Sequence, residues 1–163
     1  MTLPTRRVAI ALGSNLNDRF ALLQSARAAI GSIAAVRVVA ESRIDETAPI
    51  GPPQPMYLNQ MVLVETTVNL PALLEALRVI EARHGRVRSI QNAPRTLDLD
   101  IVWAEDVTIT TSELLVPHPG LVDRDFWQRE LAELLGATPA AAAIAAAHGH
   151  AGMSTHRHHV ASV

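Results

Sequence analysis

The 163-residue chain contains no cysteine. That excludes disulfides and thiolate metal sites and leaves the compartment open. No apolar stretch long enough to cross a bilayer is free of charges and breakers, and the alanine run near the end is too short. Only five apolar residues, Val8 to Leu12, precede Gly13, fewer than a signal-peptide core needs. There is no large charge of either sign: Lys+Arg 14 against Asp+Glu 16 gives a net charge of -2. A general attraction for nucleic acid or anionic lipid is therefore not expected. With 48% hydrophobic and 18% charged residues the composition is globular, and the length suits one domain with a real core. A cytoplasmic monomer without nucleic-acid or membrane partners is the expectation.

Along the chain, "RVAIAL" reads as a strand that stops at the turn signal "GSN". Asn17 or Asp18 then caps a helix carried by Leu23, Ala26, Ile30 and Ile33 at helical spacing. "AAVRVVAESRIDE" predicts one long strand ending near Thr47, and the proline-rich "TAPIGPPQP" interrupts the ladder. "MYLNQMVLVETT" is a further strand. Asn69 and Pro71 open a second helix through Leu74, Leu77 and Ile80 or Glu81, stopped at Gly85. "LDLDIVW" alternates as a strand does, and Asp123 or Asp125 starts a helix towards Leu135, with Gly136 as its stop. The order β-α-β-β-α-β with an appended helix predicts an α+β fold, a ferredoxin-like sandwich with helices on one face of a mainly antiparallel sheet. Residues 1–147 are expected to form the domain. Residues 148–163 are expected to be a solvated histidine-rich tail, since five of the seven histidines lie from His148 onwards without regular spacing.

"PRTLDLDI" places Asp98 and Asp100 one residue apart in an apolar run. On a strand the two share a face, while Leu97, Leu99, Ile101 and Trp103 take the other. Same-face neighbours lie roughly 6.5–7 Å apart at Cα, so both carboxylates can converge on one hard cation or bracket two about 3.5–4 Å apart. Magnesium suits so small a ligand set, because substrate phosphates complete its shell. Most such pairs are only the solvated face of an edge strand. Here, however, Arg86, Arg88 and Arg95 precede the pair, and His118 and Arg124 follow it. Carboxylates beside several guanidinium groups are the equipment for phosphoryl-group chemistry. The absence of a Walker loop and of G-x-G-x-x-G after the first strand excludes a P-loop or dinucleotide-binding Rossmann domain.

"ALGSNLNDR", "TAPIGPPQPMYLNQMV", "GRVR…PRTLDLDI" and "VPHP…DRDF", in this order and spacing, resemble the 6-hydroxymethyl-7,8-dihydropterin pyrophosphokinase family of the folate pathway. The resemblance covers about residues 7 to 135. It implies transfer of the β,γ-pyrophosphoryl group of ATP to the pterin hydroxymethyl oxygen, with release of AMP. It implies Asp98 and Asp100 as ligands of two magnesium ions, and Arg86 and Arg95 as triphosphate-binding and catalytic arginines. Arg88, Ile101, His118 and Arg124 match ATP contacts. Tyr57, Asn59 and Phe126 match the pterin pocket, with Thr47 and the backbone at Ile50 and Gly51 supplying further hydrogen bonds. Two stretches depart from the family. Asn92 and Ala93 stand where a loop tryptophan and a glycine are usual, and "RDFWQREL" lacks the usual proline before its leucine. The alternatives are a divergent paralogue that binds pterin or nucleotide with little chemistry, and a transferase acting on a different hydroxymethyl heterocycle.

Overall fold

The computed structural model describes residues 4–49, 51, 53–85 and 97–153. Strand β1 (Arg6–Ser14) leads to helix α1 (Arg19–Gly31), strands β2 (Val36–Glu41), β3 (Asp45–Thr47) and β4 (Tyr57–Thr66), and helix α2 (Leu70–Arg83). Then come β5 (Asp98–Ala104), the short hairpin β6 (Ile109–Thr110) and β7 (Leu115–Val116), a 3₁₀ turn at Pro119–Val122, and helices α3 (Asp125–Leu135) and α4 (Ala137–His148). The main sheet runs β2-β4-β1-β5, with β3 also pairing β4, and each of its pairs is antiparallel.

Local chemistry sets the helix ends. Of the two candidate caps before α1, it is Asp18 whose carboxylate accepts from the Ala21 amide at 3.1 Å. Asn69 caps α2 in the same way through Ala72, at 2.9 Å. Each bond satisfies an amide that has no partner within its helix, worth about 1 kcal/mol. Gly136, at φ 92°, ends α3 and turns the chain into α4. A residue with a Cβ is strained there.

The strand expected to run unbroken to Thr47 is two strands. Ser42 breaks it: its hydroxyl accepts from the Met61 amide at 2.9 Å and donates to the Arg43 carbonyl at 2.9 Å. A hydroxyl that satisfies backbone groups locally offers the chain an alternative to the ladder. The long strand β4 therefore pairs first with β3 and then with β2.

The sheet is covered on both faces, which corrects the one-face expectation. Val8, Ile10, Leu12, Leu99 and Ile101 pack under α1 and α2. Ala9, Ala11, Met61, Leu63 and Val102 pack under α3 and α4. The alanine helix is thus a structural layer, its Ala140, Ala143 and Ala147 buried. His150, placed by sequence in a solvated tail, is buried too, and its Nδ1 lies 2.7 Å from the Pro117 carbonyl. The expected boundary at 147 falls inside α4.

The alternation along β5 also changes sign. Ala9 pairs with Trp103 and Ile10 with Ile101, so Val102 is an extra residue in a bulge. Asp98 and Asp100 remain opposite to Leu99 and Ile101, as alternation requires. Trp103, expected with the leucines, instead packs against the other cluster. One inserted residue is enough to turn every later side chain over.

Candidate active site

Register brings the aspartates to the α3 face. Asp98 opposes Gly13, which opposes Asn59, which opposes Asp45, so one row crosses β5, β1, β4 and β3. The next row places Asp100 beside Ala11 and Met61. Directly opposed residues share a face, and neighbouring strands stand about 4.8 Å apart. Gly13 keeps the middle of the first row low. A Cβ there would lie 3.4 Å from Asn59 Oδ1 and 3.6 Å from a Tyr57 ring carbon. Asn59 donates from Nδ2 to Thr47 Oγ1 at 2.7 Å, and Phe126, at the start of α3, is partly buried beside this face. Thr47, Tyr57, Asn59 and Phe126 therefore border the region in which Asp98 lies.

The proline-rich loop is pinned at both ends. Buried Asn15 donates to Gln54 Oε1 at 2.7 Å and to the Pro55 carbonyl at 3.0 Å. Arg19 donates to Glu46 at 2.9 Å and to the Met56 carbonyl at 2.8 Å. Gly51, at φ 107°, holds the left-handed conformation that favours glycine. Ile50 lies outside the described residues.

The second half of the site surrounds Asp100. Asp100 and His118 are both buried, with Asp100 Oδ1 3.7 Å from His118 Nε2. The Gly120 amide donates to His118 Nδ1 at 2.9 Å. Nδ1 is therefore an acceptor, and the ring proton sits on Nε2, towards the aspartate. The His118 amide donates to the Val102 carbonyl at 2.8 Å, and buried Glu81 of α2 accepts from the Leu99 amide at 2.8 Å. Two elements outside the sheet thus hold the strand that carries both aspartates.

Trp127 organises the remainder. Its ring meets His118 edge-on at 5.0 Å, and the Arg124 guanidinium stacks on it at 4.3 Å. It is buried against the sheet with Leu131, one turn further on. Sequence reading left Trp127 without a role. The spacing Trp127–Leu131 was the available signal of a helix face laid on the core. Gly120 is needed beside it, because a Cβ would come within 3.0 Å of both Arg124 Nη1 and His118 Nδ1.

Two expectations receive different answers. The Ile101 side chain is buried among the α1–α2 core, on the face away from the aspartates, so only its main chain is left to meet a nucleotide. Arg86, Arg88 and Arg95, with the departing stretch at Asn92 and Ala93, lie outside the described residues.

The sequence matches the model of the family described as 7,8-dihydro-6-hydroxymethylpterin-pyrophosphokinase (HPPK) over residues 9–136. The chain belongs to this family. It is 43% identical over 126 residues to the 2-amino-4-hydroxy-6-hydroxymethyldihydropteridine pyrophosphokinase of Bacillus subtilis (strain 168), covering 77% of this chain and 75% of that one. To the enzyme of the same name from Pseudomonas aeruginosa it is 38% identical over 130 residues, 79% of this chain and 80% of the other. Among solved structures, Plasmodium falciparum HPPK-DHPS A437G with pteroate superposes with a TM-score of 0.53 at 14% identity, over 69% of this chain. That likeness concerns the fold, and the match occupies only 29% of the longer Plasmodium chain. The matched segment runs from within β1 to Gly136, and α4 lies beyond it.

Proposed function

We propose that this HPPK-family chain transfers the β,γ-pyrophosphoryl group of ATP to the hydroxymethyl oxygen of 6-hydroxymethyl-7,8-dihydropterin, yielding AMP in folate synthesis. The observation that carries the reading is the shared row: Asp98 lies on the same sheet face as Asn59, two glycine-spaced strands away. A metal-and-phosphate half and a heterocycle half thereby adjoin. The strand order β2-β4-β1-β5, with a helix before β2 and another before β5, supports the split βαβ, ferredoxin-like arrangement.

Asp98 and Asp100 are hard oxygen donors on one face, which fits magnesium, and we assign them to two ions. Magnesium would neutralise phosphate charge during transfer. The chain's own residues do the rest. Asn59 reads the ring edge, with its amide oriented by Thr47. Tyr57 and Phe126 offer aromatic faces to a flat heterocycle. His118 and Arg124, held by Trp127, contact the nucleotide, His118 donating from Nε2. Arg86 and Arg95, with Arg88, supply guanidinium groups to the triphosphate. With the hydroxymethyl oxygen held in line, positioning and charge compensation provide most of the acceleration, and no strong base is required. No helix among the described residues is long and apolar enough to cross a membrane.

The test is AMP formation from ATP with and without the pterin. Release of AMP that depends on pterin is the expected result, and its absence would refute the activity.

A further inference from the structure

Glu130 is a buried acid that the chemistry above does not use. It is 1% exposed, and no donor reaches either oxygen of its carboxylate; only as the acid can it hydrogen-bond the Asp45 carboxyl beside it. Its place on α3 explains the burial: Trp127, Glu130 and Leu131 form the stripe laid on the sheet, one turn past Phe126. The charged groups that face it are Asp45 from β3 and, from its own helix, Arg129 and Glu133. Glu133 is engaged with the Arg43 amide at 3.2 Å. Arg129 stands at the solvent side, 3.9 Å from Asp45 Oδ1. The same-face residues of β4 and β1 beside Asp45 are Asn59 and Gly13, neither titratable.

Asp45 occupies the end of the row that also holds Asn59, Gly13 and Asp98. It is two residues from Thr47 and on the same face, so it borders the heterocycle half of the site. Its side chain is 17% exposed, and its carboxyl lies beside that of Glu130. A carboxyl buried beside a second acid resists ionisation. Burial, and then the Asp45 carboxyl, push Glu130 up to about 9, so Glu130 holds its proton at neutral pH.

We propose that Asp45 and the buried Glu130 behind it form a substrate-positioning pair. Asp45 accepts from the ring N–H and amino donors of the heterocycle that Asn59 and Phe126 hold, and Glu130 donates to Asp45 to fix that carboxyl's orientation. The inference rests on the assignment of this face to the pterin. It makes the pair a specificity determinant: a ring with a donor edge satisfies Asp45, and an analogue presenting acceptors there leaves a half-buried carboxylate unmatched.

The experiment compares the wild type with Asp45→Asn and Glu130→Gln. It titrates 6-hydroxymethylpterin in the presence of a non-hydrolysable ATP analogue and magnesium, titrates the analogue alone, and measures pterin-dependent AMP formation. Asp45→Asn should raise the pterin Kd and KM about tenfold or more, the loss expected when a hydrogen bond to a charged group goes. Its analogue Kd and its kcat should stay within about twofold. Glu130→Gln keeps a donor and should hold pterin affinity at pH 7 within about threefold. It should also remove a loss of affinity that the wild type shows as pH rises through about 9, where Glu130 ionises against Asp45. An unchanged pterin Kd in Asp45→Asn overturns the proposal. An equal loss of analogue affinity also overturns it, because that marks a structural defect. The two readings fail separately. A wild type that makes no pterin-dependent AMP defeats the activity, whereas an active wild type with an Asp45→Asn variant of normal KM defeats only the pair.

Discussion

The Nε2 of His118 faces Oδ1 of Asp100 across 3.7 Å, both side chains buried, and the His118 ring meets that of Trp127 at 5.0 Å. A carboxylate of the proposed magnesium pair thus adjoins a histidine proposed to contact the nucleotide, and Trp127 packs against that histidine and Arg124. The arrangement makes several outcomes predictable.

Asp98→Ala and Asp100→Ala should each abolish AMP formation and leave the fold standing, because both side chains lie on the site face and the α1–α2 core is filled from the other. Circular dichroism melts without metal should be close to the wild type or higher, since removing one of two like charges relieves repulsion. Near-normal turnover by either variant at limiting magnesium would contradict the metal assignment.

Gly120→Ala places a methyl within 3.0 Å of both the Arg124 guanidinium and the His118 ring. One of them must move. ATP-analogue affinity should fall several-fold while pterin affinity changes little, which isothermal titration of each ligand reads directly. Loss of both affinities in equal measure would mean that the 3₁₀ turn supports the whole fold.

Trp127→Phe keeps a buried aromatic but shrinks the platform under Arg124 and His118. Cation–π stacking on tryptophan is worth about 0.5–1 kcal/mol at an exposed site and more when desolvated. The expected result is a several-fold weaker grip on the ATP analogue, with a stability loss smaller than the ~3–5 kcal/mol typical of Trp→Ala. Chemical denaturation of Trp127→Phe and Trp127→Ala, beside nucleotide titrations, separates packing from stacking.

Glu130 makes stability depend on pH. Its carboxyl is raised from 4.5 to about 9 in the folded chain, chiefly by burial and then by Asp45. The folded state keeps the proton that the unfolded chain releases above about 4.5, so the unfolded state is favoured progressively between about pH 4.5 and 9. Below that window neither state is penalised. At pH 7 the cost is of order 3 kcal/mol. Urea unfolding of Glu130→Gln against the wild type should show the variant gaining relative stability as pH rises from 5 to 8. Parallel pH profiles would show that Glu130 is ionised in the folded protein.

The sequence by itself determined the elements whose cause is local. Asp18 and Asn69 cap their helices because a short polar side chain beside an apolar helical stripe satisfies the first amides wherever the helix lies. Asp98 and Asp100 share a face because a strand alternates, and the motif blocks carried the family. Only the tertiary structure decided what depends on a partner far along the chain. The Val102 bulge that turns Trp103 over is set by pairing with Ala9 and Ile10. The alanine helix becomes a layer because α3 and the 3₁₀ turn give it a surface to cover. Asp45 and Glu130, 85 positions apart in the sequence, become neighbours because α3 packs on β4, the strand that β3 pairs with. Neither position carries a local signal, since burial belongs to the fold rather than to the residue, and it is burial that makes a carboxyl keep its proton.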